Sequence, residues 1–435
     1  MISVSENFIN TIGKPIETRI YGTTTIAVED GTTYTINWDN HNVISGSFSV
    51  SDKCVKGSGF SIGAVNSSTL SATFYLPEIS ATALQGAIIK AFYSALVDGT
   101  TWENVPLGVF RVTKSSPQAN GLIQITAVTS LYFANMFDTT DPALLPATYL
   151  NTLQEPYYHL ASICQHAGLE FGNTIEEVRA MANGTELTAI PEDSTISATI
   201  DILSYMATFL GGFVTCDRAT GKIIIKHFGR TSVATIAPSK VYKGSLSCAG
   251  FEMGIEKMSV TVYDNGAFSA YMANGLAEKS GNPNNIEIDI SDNPFIETVY
   301  RQKGTDTVDN IVNITDRVMF LPYIPFSCDY AGNPALEVGD CVTVQKPDGT
   351  TFNSIITSFT YNFRGRHRLK CDGEDARLVG GIKVNDVARL ERKVNRRINS
   401  VAPKHLTQEE FDTQFSGGNM RDGLYIITDG GGANE

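Results

Sequence analysis

Alternation of apolar and polar positions with a period of two dominates the start of the chain. Residues 17–51 open with ETRIYGTTTIAVEDGTTYTINW, rich in Thr, Ile, Val and Tyr, and Asp30-Gly31 between two such runs is a hairpin signal. The same period predicts strands over 70–76, 106–114 and 122–130, the last two parted by the turn-rich SSPQANG. Residues 1–135 therefore read as a β-barrel or sandwich, counted as the first β-barrel domain. Residues 81–93 differ: Leu84, Ile88, Ile89 and Phe92 stand at helical spacing without a proline, which fits one short helix or a long excursion from the sheet.

From 136 the pattern changes. Pro142, Pro146 and Pro156 punctuate a connecting stretch, after which helical spacing predicts a helix over 157–167 and a second over 201–210 that stops at Gly211-Gly212. FVTCDRATGKIIIKHF then predicts a hairpin turning over 217–221, which makes 136–240 an inserted α+β domain. Strands over 258–263 and 286–290 give 241–300 a β-rich connecting domain. A helix over 306–318 precedes a meander, LEVGDCVTVQKPDGTTFNSIITSFTYNF, turning at Pro347-Asp348-Gly349, and 301–378 reads as a second β-barrel domain.

The remaining segments are a helix and a tail. Val387, Leu390, Val394 and Ile398 fall at 3-4-4 spacing on a charged helix over 386–399, within 379–400, too short to stand alone in water, so the stripe packs either on its own barrel or on symmetry mates. Residues 401–435 form a polar segment ending in the apolar run Leu424, Tyr425, Ile426, Ile427. The fold class expected is mainly β with α+β insertions: two β-barrel domains, smaller α/β domains and a short C-terminal helix.

Length and composition agree with this division. A chain of 435 residues exceeds one ordinary core, and 42% hydrophobic with 18% charged residues leaves ample apolar surface to bury. The start, MISVSENFINTIGKP, has no basic stretch leading into an apolar run, so a secretory signal is not expected. Residues 57–77 carry no charge but are loaded with Ser, Thr, Asn and Gly, and no transmembrane helix is expected there.

The net charge of −13 disfavours nucleic acid and anionic lipid as partners of the whole surface. Between Arg364 and Arg397, however, eleven basic residues face five acidic ones. That asymmetry fits a solvated helix face or an acid-base contact between subunits better than a nucleic-acid patch.

No reactive constellation is legible. Seven cysteines are scattered without a CxxC, as expected of small buried hydrophobes. His159 and His166 stand at i, i+7, two helical turns or roughly 10 Å apart, too far for one metal ion, and Cys164 between them is out of register. HExxH, Walker and GxGxxG patterns are absent, and SGNPNNIEIDISDN lacks the acidic spacing of a calcium loop. Carboxylate pairs, Glu409-Glu410 and Asp138 with Asp141, sit in polar text, while Asp372 and Glu374 suit a turn or cap. No catalytic residue, cofactor or metal is expected. Trp38 and Trp102 read as core residues unless they line a groove, which is what a receptor- or glycan-binding module requires.

Four texts in order carry a resemblance: FSIGAVNSSTLSATFYLP (60–77), PLGVFRVTKSS with GLIQITAVTSLYFANMFD (106–138), IDILSYMATFLGGFVTCDRATGKIII (200–225), and LEVGDCVTVQKPDG with ITSFTYNFRGRHRLKCDGE (336–374). They resemble the hub proteins at the distal end of phage tails, the family of contractile baseplate hubs and the N-terminal part of tail-associated lysins. The resemblance implies a structural, non-enzymatic role at the virion tail tip, assembled in the host cytoplasm. It implies a homotrimer whose barrels form a collar around the channel. Its partners would be the distal tail or tail tube proteins, the tape measure protein, and a tip spike or fibre protein. DNA would pass an acidic lumen without specific binding. Lysin relatives continue into a hydrolase domain, whereas here only 379–435 follow the second barrel; the alternatives are a cell-wall hydrolase and a receptor-binding tip protein. On this reading Val387, Leu390, Val394 and Ile398 meet at the three-fold axis, and residues 424–427 dock the next tip component.

Overall fold

In the computed structural model, strand β1 (Thr18–Ala27) turns Ile20, Gly22, Thr24 and Ile26 inward and the residues between them outward, the two-residue period expected of a half-buried strand. The structure describes residues 1–27, 32–57, 59–136, 152–190, 198–263, 267–273, 286–290, 293–373, 404–407 and 425–428. Helix α1 (Glu6–Thr11), capped by the Ser5 hydroxyl, precedes β1 and buries Phe8. Then come β2 (Thr33–Asp39), β3 (Ser49–Lys53), β4 (Thr69–Tyr75), β5 (Ile88–Leu96), β6 (Trp102–Pro117) and β7 (Leu122–Val128). The Asp30-Gly31 turn lies outside the described residues, but β1 and β2 pair antiparallel as that turn demands.

Residues 81–93 are neither helix nor excursion. A single 3-10 turn at Thr82–Leu84 leads into β5, where Ile89, Ala91, Tyr93 and Ala95 are buried in alternation. The strand is hydrogen-bonded on both sides, to β1 and β6, and these two ladders outweigh an apolar spacing that a helix satisfies equally well.

The inserted segment contributes α2 (Pro156–His166), α3 (Ile175–Arg179), α4 (Thr199–Phe209), and a hairpin of β8 (Phe213–Cys216) and β9 (Ile223–Lys226). Helix α4 buries Ile202, Leu203, Met206 and Phe209 and ends at Gly211, whose φ of 73° suits glycine. The hairpin is stitched to the loop after β3: Gly63 N donates to Gly212 O at 2.7 Å and Val214 N to Ala64 O at 2.8 Å.

The rest of this unit comprises β10 (Ser232–Ile236), β11 (Ser247–Cys248), β12 (Ile255–Tyr263), β13 (Ala267–Ala273), β14 (Ile286–Asp289), helices α5 (Pro294–Lys303) and α6 (Val308–Val318), then β15 (Phe326–Tyr330), β16 (Cys341–Gln345), β17 (Thr351–Ile355), β18 (Ser358–Asn362) and β19 (His367–Cys371). Strands from the two regions expected to be barrels share one eleven-stranded sheet, in the order β11-β15-β19-β18-β3-β4-β7-β6-β5-β1-β2. The join is β3, paired with β4 on one side and, from Ser49↔Asn362 to Lys53↔Ser358, with β18 on the other. Parallel pairing of β10 with β16 adds a three-stranded sheet with β17, and β13-β12-β14 forms another. The fold is mainly β.

The chain divides into two units, Met1–Val262 with Phe268–Asp375, and Tyr263–Ala267 with Ala376–Glu435. In the second, β20 (Lys404–Thr407) pairs in parallel with β21 (Tyr425–Thr428).

Arg218, in the β8–β9 turn, is 8% exposed; its Nη1 donates to Pro334 O and its guanidinium lies over the Phe359 ring at 5.7 Å. Its charge acts on two carboxylates, Asp52 and Glu337. Burial pushes Glu337 up, but Lys226 at 3.0 Å, Arg218 and the Met1 amine hold it down at about 2.

Two outcomes follow from this packing. A Cβ on Gly22 would lie 2.1 Å from the Lys90 carbonyl oxygen and 2.4 Å from the Trp38 ring, so Gly22→Ala should cost about 1–3 kcal/mol and lower the thermal midpoint; an unchanged midpoint contradicts this packing. Because Glu337 titrates lower folded than unfolded, its stabilising contribution is present above about pH 4.5 and is lost as pH falls toward 2. Acid unfolding of Glu337→Gln should therefore lose on the order of 3 kcal/mol of pH dependence across that window; equal pH slopes in the two proteins contradict the assignment.

Candidate interaction surfaces

Side chains that carry reactivity elsewhere are used here for packing. His159 is 1% exposed on α2, its Nε2 at 2.7 Å from Thr188 O and its ring against Phe295. His166 Nδ1 meets the carbonyl of Ser162 one turn back at 2.8 Å, so the two imidazoles serve separate backbone groups. Burial pushes His159, His227 and His367 down, His367 to about 4, which keeps them neutral near pH 7. All seven cysteines are free and six are buried; burial pushes the thiols of Cys164, Cys328 and Cys371 up to about 12. Among the described residues, no three His, Cys, Asp or Glu side chains are gathered as a metal would require.

Asp372 departs from the turn or cap role its position fits. It is 3% exposed, accepts from Thr357 Oγ1 at 3.0 Å and is paired with Lys370 and, at 3.9 Å, Lys53. The carboxylate thus closes the β3–β18–β19 junction, a tertiary role invisible in local text. Glu374, Asp138, Asp141, Glu409 and Glu410 lie outside the described residues.

In the described part of the basic stretch, Arg366 and Arg368 converge on Asp329, at 3.6 and 3.3 Å, and Lys370 pairs with Asp372, while the Arg364 guanidinium lies over the Phe363 ring. Val387, Leu390, Val394 and Ile398, with the helix expected over 386–399, lie outside the described residues, as does Leu424. Tyr425, Ile426 and Ile427 belong to β21, opposite Lys404, His405 and Leu406 of β20. Among the described residues, β21 has no second strand partner. No helix among the described residues is long and apolar enough to cross a membrane.

The two tryptophans do line one groove, of about 450 Å³, where β1, the turn after β2 and the start of β6 meet. Trp38 is 3% exposed and packs edge-on to Phe74 at 5.2 Å, so it serves the core and the groove wall together. Trp102 is half-exposed, with the Arg19 guanidinium 4.0 Å above its ring. Next to it, Tyr21 is stacked on Phe92 at 5.3 Å and 17°. The opposite wall is the 39–42 turn, closed by His41 N donating to Asp39 Oδ1 at 2.8 Å and Asp39 N to Asn42 Oδ1 at 3.1 Å, and tied to β1 by Ile20 N donating to Asn40 Oδ1 at 2.7 Å. Trp38 Nε1 and Arg19 Nε are buried donors without a protein acceptor.

No family model matches the chain, and no curated protein sequence matches it. Solved structures do. The prophage tail protein gp18 from Listeria monocytogenes EGD-e aligns over 86% of this chain and 99% of its own, with a TM-score of 0.50 and 12% identity. The Francisella PdpA-VgrG complex aligns over 81% of this chain and 52% of that one, at TM-score 0.44 and 9% identity. The Escherichia coli c3393 protein, a type VI secretion component, aligns over 76% and 74%, at 0.37 and 9%. The first of these shows a shared fold over most of this chain and nearly the whole of the other.

Proposed function

We propose that this chain is a structural hub subunit of a phage-type tail tip. In this reading three copies form a ring that closes or extends the tail channel and connects the tail tube or distal tail ring to a tip spike or fibre. The observation that carries the reading is the shared fold with a prophage tail protein, end to end in that protein and over most of this one. The same likeness supports reading the role as structural rather than catalytic.

The sheet supports the reading physically. Among the described residues the eleven-stranded sheet ends in β2 and β11, each paired with a strand on one side only, and closure between copies is one way to cover such edges. Val387, Leu390, Val394 and Ile398 are assigned to the three-fold contact between copies. Tyr425, Ile426 and Ile427 of β21, with Leu424, are assigned to the next tip component, by strand addition to the open side of β21. A net charge of −13 lets DNA pass without condensing on the wall. The tape measure protein is the expected partner inside the channel, and the assembled location is the virion tail tip.

Native mass spectrometry of the full chain should give three times 47.1 kDa; a monomer at micromolar concentration overturns the ring. Removing residues 401–435 should leave that trimer intact and abolish attachment of the tip component, whereas particles that assemble unchanged without the segment refute the docking role.

A further inference from the structure

We infer that the groove between β1, the turn after β2 and the start of β6 is a binding site for a neutral saccharide. The inference stands apart from the hub reading, since ring assembly and occupancy of this groove are measured separately.

A sugar ring offers an apolar C–H face and a rim of hydroxyls that donate and accept at once, so its site needs aromatic area beside mixed polar groups. The groove has both. Trp102 and Tyr21 supply half-exposed rings, and neither is free to swing: Arg19 lies 4.0 Å over the first, and Phe92 is stacked on the second. Rings already held in place lose little freedom when a ligand packs on them. On the facing wall Asp39 and His41 are exposed, on a turn fixed by its own hydrogen bonds and by the Asn40 link to β1.

Charge chooses the ligand. The lining places two carboxylates, Glu17 and Asp39, with one guanidinium, that of Arg19. That balance repels phosphate, sulfate and uronate groups and suits an uncharged ligand whose hydroxyls donate to carboxylates. A volume of about 450 Å³ falls within the range of small-molecule clefts, roughly 300–1,000 Å³.

The test uses the full chain, neutral oligosaccharides of hexose, deoxyhexose and N-acetylhexosamine units, and sialylated and phosphorylated counterparts. Binding is read by calorimetry and tryptophan fluorescence. At least one neutral oligosaccharide should bind and shift the emission, and its affinity should fall about tenfold in Trp102→Ala. Asp39→Asn, a near-isosteric change on an exposed turn, should weaken the same ligand while leaving the thermal midpoint unchanged, which separates loss of contact from loss of fold. The inference is overturned if no neutral oligosaccharide binds, if the anionic ones bind better, or if both variants bind as the parent does.

Discussion

Strand β3 is the constraint on which the architecture depends. Its five residues pair with β4 on one side and β18 on the other, so a ladder of backbone hydrogen bonds joins strands that are more than three hundred residues apart in sequence. Side chains reinforce the join: Phe48 meets Tyr361 edge-on at 6.4 Å, and Cys54 N donates to Thr357 O at 2.9 Å. Polar groups would be costly at such a seam unless matched. Asp372 is matched by Thr357, Lys370 and Lys53, and Glu337 by Lys226 and Arg218.

The inserted helices and hairpin hang from the same seam. The loop that follows β3 accepts β8 through two backbone hydrogen bonds, and the β8–β9 turn sends Arg218 back to the carbonyl of Pro334. Helix α4 then packs against α5, with Asn293 Nδ2 donating to Tyr205 O at 2.8 Å and Phe209 against Phe295. An insertion held by backbone bonds at its root and by aromatic packing further out is fixed against the sheet at both places.

Near its other terminal strand the same sheet carries the aromatic groove. Trp38 reaches it only because glycine occupies position 22 opposite, where any side chain would collide with both the indole and the neighbouring strand. Core and groove are therefore mechanically linked.

Local pattern carried much of the architecture. Period two marked β1, β4, β6, β7 and the meander of β16 to β18, while helical spacing with a terminal glycine pair marked α4, because in these segments short-range periodicity and final burial coincide. It failed over 81–93, where Leu84, Ile88, Ile89 and Phe92 fit either period and the choice belonged to ladders from β1 and β6. It was silent on the continuity of the sheet, because pairing of Ser49–Lys53 with Ser358–Asn362 leaves no trace in either segment read alone. The tryptophans show the same division. Composition identified them as the residues whose placement separates core from groove; only the tertiary fold, by setting Arg19 over Trp102 and the 39–42 turn beside Trp38, decided that they border one groove. The physical reason is range: propensity and amphipathic period act over a few residues, whereas sheet order, buried charge pairing and groove shape are fixed by contacts between residues that chain proximity does not relate.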